Sequence, residues 1–261
     1  MDSGRFCLVL ILSCLISGVV SQSILQILPE NRISGDRKTL LRDDDIFCDS
    51  WRFSIETNDA GIWYNIPARC VKFVQNYMLG ERYASDSDQV AEDSLTFANT
   101  IEITGDGKDA WIFDIDETLL SNLPYYEIHG FGSEVFDEKT FDEWVDLAEA
   151  PALPASLKLY NELQRLGFKL ILLTGRAEFQ RSATEKNLLL AGYGNWEKLI
   201  LRGASDIGKT AEMYKSEKRK EEEEEGGYRI HGNSGDQWSD LLGFAMATRS
   251  FKLPNPMYYI P

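Results

Sequence analysis

The stretch DAWIFDIDETLLS, residues 109–121, decides the fold of this chain. Its apolar run, Ala110 to Phe113, has the length and the aromatic and β-branched content of a buried strand. The run stops at Asp114, and a second acid, Asp116, follows after one intervening residue. In an open parallel α/β sheet the ligand crevice lies just outside the carboxyl ends of the strands, so the stretch predicts a functional site there.

The two acids suit a particular chemistry. Alternation along a strand turns the side chains of Asp114 and Asp116 to the same side and Ile115 to the other. Such a pair can hold a divalent cation, and one member can attack phosphorus while the other handles a proton. Taken alone, the stretch is equally compatible with a solvated acidic loop after a strand. Two later stretches favour the site.

The amino terminus has the pattern of a secretory signal. Arg5 precedes an apolar run from Phe6 to Ile16, and small residues lie near Ser21. The run is too short to span a bilayer comfortably. We therefore exclude residues 1–21 from the fold, which leaves 240 of the 261 residues, enough for one α/β domain with an extension.

The net charge and the pI of the sequence exclude some partners and indicate a cellular compartment. The formal net charge of −15 argues against nucleic acid or an anionic membrane as a partner, because both would be repelled. The sequence pI of about 4.6 suits a mildly acidic compartment. Together with the signal, these features predict a protein of the secretory pathway, destined for the cell wall or another extracellular site, or for a vacuole.

Two of the four cysteines remain after the signal is removed. Because the secretory route is oxidising, Cys48 and Cys70 are predicted to form a disulfide. The alternative is a pair of free buried thiols. No catalytic cysteine is implied.

Residues 22–104 are predicted to form an amino-terminal extension with helices. Residues 22–45 show no periodicity and are interpreted as a loosely ordered arm. The aromatic segment Phe47 to Ile66 suggests short strands or turns. A helix is predicted from Pro67 to about Gly80, and a second one from Ser85 to Asn99, on apolar spacings of three and four residues.

Residues 105–261 are predicted to form the core domain, interrupted by an insertion at about residues 122–150. This aromatic and acidic segment separates the first strand from its helix, so it is interpreted as a cap over the crevice. His129, in the cap, could contact a phosphate or leaving group. A structural role for a lone histidine is the alternative.

A second buried strand is predicted at Phe168 to Leu173, and it ends in the polar residues Thr174-Gly175-Arg176. A hydroxyl, a glycine that frees backbone N–H groups and a helix start near Ala177 together predict an anion site.

The last third of the chain repeats the strand-then-acid pattern. A third strand is predicted at Lys198 to Leu201, and a highly charged helix at Lys209 to Glu225. A further strand, Tyr228 to Asn233, leads to two more carboxylates, Asp236 and Asp240. Charge runs are usually solvated, so the glutamates that end the helix are interpreted as an exposed face with a last turn that frays.

Three strand ends thus present Asp-x-Asp-x-Thr, Thr-Gly-Arg and Gly-Asp-x-x-x-Asp, with a lysine-bearing helix before the last. This order resembles the haloacid dehalogenase (HAD) superfamily of phosphotransferases. The segments CDSWR at 48–52, GNSGDQWSDL at 232–241 and PNPMYY near the end are similar to the plant acid phosphatase and vegetative storage protein family, the class B acid phosphatases. The resemblance implies a three-layer α/β fold with a Rossmann-like parallel sheet, a small cap and an amino-terminal helical extension.

The resemblance also implies roles for matching residues. Asp114 takes the position of the nucleophile that becomes phospho-aspartate, and Asp116 takes that of the general acid and base. Thr174-Gly175 matches the phosphate-binding second motif. Lys215 matches the lysine that pairs with the phosphoryl oxygens and the nucleophile, and Lys209 is the weaker alternative.

A magnesium site is implied in the same way. Asp236 is expected to bind Mg²⁺ with the Asp114 carboxylate and the Asp116 backbone carbonyl, and Asp240 to bind it directly or to support it. Oxygen ligands favour Mg²⁺ over zinc or copper. Only two histidines are present, and neither stands in an Arg-His-Gly setting. The sequence therefore argues against the phosphohistidine and dinuclear iron types of acid phosphatase.

Our first hypothesis is an Mg²⁺-dependent acid phosphatase that hydrolyses small-molecule phosphate monoesters. The alternative is a vegetative storage protein with weak or vestigial activity. Aspartate at position 114 favours the enzyme, because serine or asparagine there would remove the attacking carboxylate. Transfer of the phosphoryl group to an alcohol is a third outcome of the same chemistry. A homodimer is compatible with the sequence.

Overall fold

The structure is a computed structural model that describes residues 37–261, with side chains described from residue 43. The predicted signal at 1–21 and the first part of the predicted arm, 22–36, lie outside the described residues. Across the described part of the chain, none of the helices combines the length and the apolar character that a membrane span requires.

A parallel sheet forms the middle layer. In the described residues its strands are β1 (Asp109–Phe113), β2 (Lys169–Ala177), β3 (Lys198–Arg202), β4 (Arg229–Gly235) and β5 (Arg249–Lys252). They pair in the order β3-β2-β1-β4-β5, and every pairing is parallel. Because β1 lies between β2 and β4, the three predicted strand ends meet at one edge of the sheet.

Helices cover both faces of the sheet. They are α1 (Arg37–Glu56), α2 (Val71–Met78), α3 (Glu81–Ala98), α4 (Leu123–Ile128), α5 (Glu138–Leu147), α6 (Pro154–Leu166), α7 (Arg181–Leu190), α8 (Ala211–Glu224) and α9 (Trp238–Leu241). Alternation along β1 sends Trp111 and Phe113 into one core with Leu159 of α6, and Ile112 into another with Tyr214 of α8. The predicted three-layer α/β fold is confirmed.

The amino-terminal part differs from the prediction. Helix α1 replaces the end of the predicted arm and the first half of the predicted strands or turns at Phe47 to Ile66. Cys48 and Ile55 are buried, and Trp51 packs edge-on against Trp63 with ring centroids 5.4 Å apart. Cys48, Trp51 and Ile55 are spaced three, four and seven residues apart, which places all three on one face of the helix. The prediction was wrong because aromatic content was weighed above this periodicity.

The other two amino-terminal helices are confirmed. Helix α2 and the short 3₁₀ turn Ala68–Cys70 follow Pro67, and Gly80 separates α2 from α3. Helix α3 begins at Glu81, four residues before the predicted start at Ser85.

The Cys48–Cys70 disulfide is confirmed, with Cα atoms 5.3 Å apart, and it joins α1 to the turn before α2. Replacing both cysteines by serine should lower the free energy of unfolding by about 3 kcal/mol, because the unfolded chain regains the entropy of a 22-residue loop. Chemical denaturation of the oxidised protein and of the double variant measures this difference. Equal midpoints would contradict it.

Two features of the carboxy-terminal half also differ from expectation. The last turn of α8 does not fray. Glu222 is buried there, and its Oε2 lies 2.7 Å from Lys198 Nζ on β3 in an ion pair. Strand β5 was not predicted, since Arg249–Lys252 contains a single apolar side chain, Phe251. Its pairing with β4 supplies the order that its sequence does not signal.

Candidate active site

Three buried carboxylates converge at the carboxyl edge of the sheet. Asp114 directly follows β1, Asp236 directly follows β4, and Asp240 lies in α9. Each offers a carboxylate oxygen, and these oxygens all lie within 4.8 Å of one another. Because these acids are buried, the alternative of a solvated acidic loop does not apply.

Lys215 is the cation of this group. It reaches the site from α8, and its Nζ donates to Asp114 Oδ1 at 2.5 Å and to Asp240 Oδ1. Lys209, the weaker alternative, instead pairs with Asp206 and Glu217. Of the two lysines, the fold brings Lys215 to the carboxylates.

The carboxylate of Asp116 has other partners. Arg176 donates to it through Nη2 at 2.7 Å and Nε at 3.1 Å, and Asn122 Nδ2 donates at 2.8 Å. The side chain of Asp116 is thereby oriented beside the group rather than within it. Sequence reasoning placed Arg176 in the anion site but missed this ion pair, and it missed Asn122 altogether. Arg176 belongs to the Thr-Gly-Arg motif, and Asn122 directly follows the stretch 109–121. This proximity to the motifs was the only sequence signal for their contact with Asp116.

The predicted anion site is only partly formed. Thr174 is buried, and its Oγ1 accepts from the Arg176 backbone N–H at 3.1 Å, while Gly175 lines the cavity above the carboxylates. The helical segment predicted to start near Ala177 begins there as a 3₁₀ turn, Glu178–Gln180, and continues as α7 from Arg181. The Ala177 N–H already donates to a side-chain oxygen, so it is not available to an anion.

Burial and charge shift the pKa values of the acids. Burial raises the pKa of Asp114 well above its usual range, and Asp240, Asp236 and Asp116 add to this effect against the opposing Lys215. Burial and Asp240 raise the pKa of Asp236 to about 7. Burial also acts to raise the pKa of Asp116, but the Arg176 guanidinium outweighs it and lowers that pKa below its usual value.

This arrangement fits a divalent cation. Three carboxyl groups face one ammonium group, and their mutual repulsion is among the causes that raise the pKa values of Asp114 and Asp236; a bound cation would offset this repulsion and favour the ionised forms. Its ligands are all oxygen atoms, which suits a hard cation such as Mg²⁺ better than zinc or copper.

A cavity of about 780 Å³ opens above the carboxylates. The cap forms one wall of it through residues of α4, α5 and the segment between them. His129 lines this wall, and its ring packs against that of Tyr125 with centroids 4.2 Å apart. The Nδ1 atom of His129 lies 3.4 Å from Glu134 Oε2. Aromatic side chains also line the cavity, among them Tyr64, Tyr126, Phe136, Phe141, Phe179 and Tyr258.

A family model described as HAD superfamily, subfamily IIIB (acid phosphatase), matches residues 37–261. The chain belongs to this family. The family resemblance inferred from the sequence is therefore confirmed.

Relatives of this HAD acid phosphatase include both enzymes and storage proteins by name. Acid phosphatase 1 of Solanum lycopersicum is 56% identical over 217 residues, which cover 83% of this chain and 85% of the tomato protein. Vegetative storage protein 1 of Arabidopsis thaliana is 34% identical, with 97% of each chain covered.

A solved structure has the same fold as this HAD acid phosphatase. The class C acid phosphatase from Bacillus anthracis with tungstate bound superposes with a TM-score of 0.60 at 23% identity. The superposition covers 72% of this chain and 85% of the bacterial one.

Proposed function

We propose that this HAD acid phosphatase hydrolyses small-molecule phosphate monoesters through a phospho-aspartate on Asp114. The observation that carries the proposal is the position of the Asp114 carboxylate. It lies at the end of the central strand, 2.5 Å from the Lys215 ammonium group and at the floor of the cavity. This carboxylate is a group able to attack the phosphorus of a phosphoryl group that enters the cavity.

The reaction then proceeds in two displacements. An oxygen of Asp114 forms a bond to phosphorus while the bond to the leaving oxygen breaks, and Asp116 gives that oxygen a proton. Water next attacks the phospho-aspartate, gives a proton back to Asp116, and releases inorganic phosphate and the free Asp114 carboxylate. The ion pair with Arg176 fixes Asp116 beside the nucleophile but lowers its pKa, so it favours the base role toward water, and the proton goes to the leaving oxygen from the protonated fraction of Asp116.

Lys215 and a bound cation would make the approach of substrate favourable. A phosphate dianion 4 Å from a carboxylate is repelled by roughly 4 kcal/mol per unit charge pair in a partly screened site. The Lys215 ammonium group offsets part of this repulsion. Mg²⁺, held by Asp114, Asp236, Asp240 and the backbone carbonyl of Asp116, would supply further positive charge to the transferring phosphoryl group. Gly175, in the cavity wall, and Thr174 behind it complete the proposed phosphate site.

The aromatic lining supports aryl monoesters as good substrates. Phe136→Ala should raise the KM for phenyl phosphate roughly three- to tenfold and leave that for glycerol phosphate nearly unchanged, because a ring contact is worth about 1 kcal/mol. Phe136 is largely exposed in the cavity wall, so the fold should tolerate the change. Leu189→Ala, an exposed apolar residue of α7, is the matched control. Equal effects on both esters would contradict the proposal.

The fold also carries a feature suited to acid. Asp109 accepts from Arg229 Nε at 2.9 Å and contacts His231 Nε2 at 2.8 Å. Arg229 is the main cause that holds the pKa of Asp109 below its usual range, despite burial. A carboxyl with a lowered pKa stabilises the fold above its ordinary pKa of about 3.9, and that contribution is lost as the pH falls further.

At any pH between about 5 and 7, Arg229→Gln should therefore have a lower thermal unfolding midpoint than the natural protein. The difference between the two midpoints should shrink below about pH 3.9. Thermal unfolding of both proteins across this range measures the effect. A difference that grows at low pH would contradict the assignment.

We also propose that the protein follows the secretory route, to the cell wall or a vacuole. The disulfide supports this, because such bonds persist in oxidising compartments. Storage with weak activity is the competing function, since Arabidopsis storage proteins are among the relatives.

Assay of the mature protein against a panel of phosphate esters at about pH 5, with and without Mg²⁺, tests the proposed function. Turnover of several monoesters supports the enzyme, and the absence of turnover for all of them favours storage. Added alcohol in the same assay reveals any transfer to an acceptor.

A further inference from the structure

Asp236 has two neutral donors on one of its oxygens. Asn255 Nδ2 donates to Oδ2 at 2.7 Å, and Gln237 Nε2 donates to the same oxygen at 2.7 Å. The other oxygen, Oδ1, has only a long contact of 3.4 Å from Thr118 among the described residues. One face of the carboxylate is thus fixed, and Oδ1 is left for another partner.

Asn255 belongs to the carboxy-terminal segment, residues 253–261. Besides its hydrogen bond to Asp236, two further hydrogen bonds hold the Asn255 residue. Its Oδ1 accepts from the Met257 backbone N–H at 2.9 Å, and its own backbone N–H donates to Glu56 at 3.0 Å. A backbone N–H can only donate, so the amide oxygen must face Met257 and the amide nitrogen must face Asp236. The orientation of this side chain is therefore determined by the fold.

The segment that carries Asn255 is packed on both sides. Gly132 of the cap lies so close that a Cβ there would be 2.0 Å from the Met257 carbonyl oxygen. The Ile260 N–H donates to Gln237 Oε1 at 3.0 Å, which orients the second donor as well. Asn255 and Gln237 are both buried, so neither amide has water as a ready substitute partner.

We propose that Asn255 is a positioning residue that holds Asp236 in the orientation needed for the cation. Its amide fixes Oδ2, so that Oδ1 is the oxygen offered to Mg²⁺ alongside Asp114 and Asp240. Hydrogen bonds of this kind order a ligand carboxylate before the metal binds. The entropy loss of ordering the carboxylate is therefore not incurred on binding. The carboxy-terminal segment is thus part of the metal site, although it contributes no ligand. This inference rests on the magnesium site of the proposed function.

The test is Mg²⁺ binding to the metal-free protein, measured by calorimetry and by the Mg²⁺-dependent rise in the unfolding midpoint. Asn255→Leu keeps the size of the side chain but removes the donor. It should raise the Kd for Mg²⁺ by about 10- to 100-fold. In turnover the variant should need correspondingly more Mg²⁺, and kcat should recover when Mg²⁺ is saturating.

Met257→Ala is the matched control for loosening of the segment. Met257 is completely buried, so its truncation should lower the unfolding midpoint while the Asn255 amide stays on Asp236. Its Kd for Mg²⁺ should stay within about threefold of the natural protein.

Each outcome bears on a different claim. If Asn255→Leu binds Mg²⁺ as tightly as the natural protein, Asn255 does not position Asp236. If Met257→Ala weakens binding as much as Asn255→Leu, packing of the segment is the cause and the proposal is overturned. If the natural protein itself binds no Mg²⁺, the metal site of the proposed function fails, and the role of Asn255 fails with it.

Discussion

Asp114→Asn is expected to lower kcat for a chromogenic aryl phosphate at about pH 5 by roughly 10³-fold or more. The amide is a poor nucleophile, so the phospho-aspartate cannot form. The change keeps the shape of the side chain and removes one negative charge from a group of three buried carboxylates. We therefore expect the variant to remain folded, with an unfolding midpoint close to that of the natural protein.

Glu138→Gln is the control for Asp114→Asn. Glu138 is an exposed acid that lines the same cavity, so its neutralisation changes the charge of the pocket without touching the nucleophile. Its kcat should stay within about twofold of the natural value. Unchanged turnover by folded Asp114→Asn would remove Asp114 from the mechanism.

Chelation of divalent cations should have the second largest effect. EDTA is expected to abolish turnover, and Mg²⁺ in excess should restore it, because the phosphoryl dianion must approach three carboxylates that a single lysine does not neutralise. Asp236→Asn should raise the Mg²⁺ concentration needed for half-maximal activity, since it replaces a charged ligand by a neutral one.

Circular dichroism of the EDTA-treated protein provides the control for chelation. Its spectrum should be unchanged, because the strands are held by their own ladder and by apolar cores that include none of the proposed metal ligands. Full activity in EDTA would contradict the metal site as proposed. Recovery with zinc but not with magnesium would contradict the choice of cation.

Much of the core could be predicted because β1 and β2 are indicated by local apolar runs, Ala110 to Phe113 and Phe168 to Leu173. The end of β1 before Asp114 was predicted correctly, whereas β2 continues past Leu173 through Thr174-Gly175-Arg176 to Ala177. Parallel strands then bring their ends to one edge, which is why Asp114 and Asp236 could be assigned to one site although they lie far apart in sequence.

Local patterns were insufficient where the partner is distant. Strand β5 is ordered by its neighbour β4. The last turn of α8 is held by the ion pair of Glu222 with Lys198 on β3, which no periodicity indicates. In each case the deciding free energy comes from tertiary contacts rather than from intrinsic preference.

By itself, the sequence determined the fold class, the family and the acids that meet at the sheet edge, and it predicted the disulfide. It did so because strand alternation and the parallel arrangement convert spacing along the chain into position at that edge. Only the tertiary structure decided which neighbours orient those groups: Arg176 on Asp116, Lys215 rather than Lys209 on Asp114, and Asn255 on Asp236. Such hydrogen bonds depend on angles and distances of a few tenths of an ångström, which only the packed chain fixes.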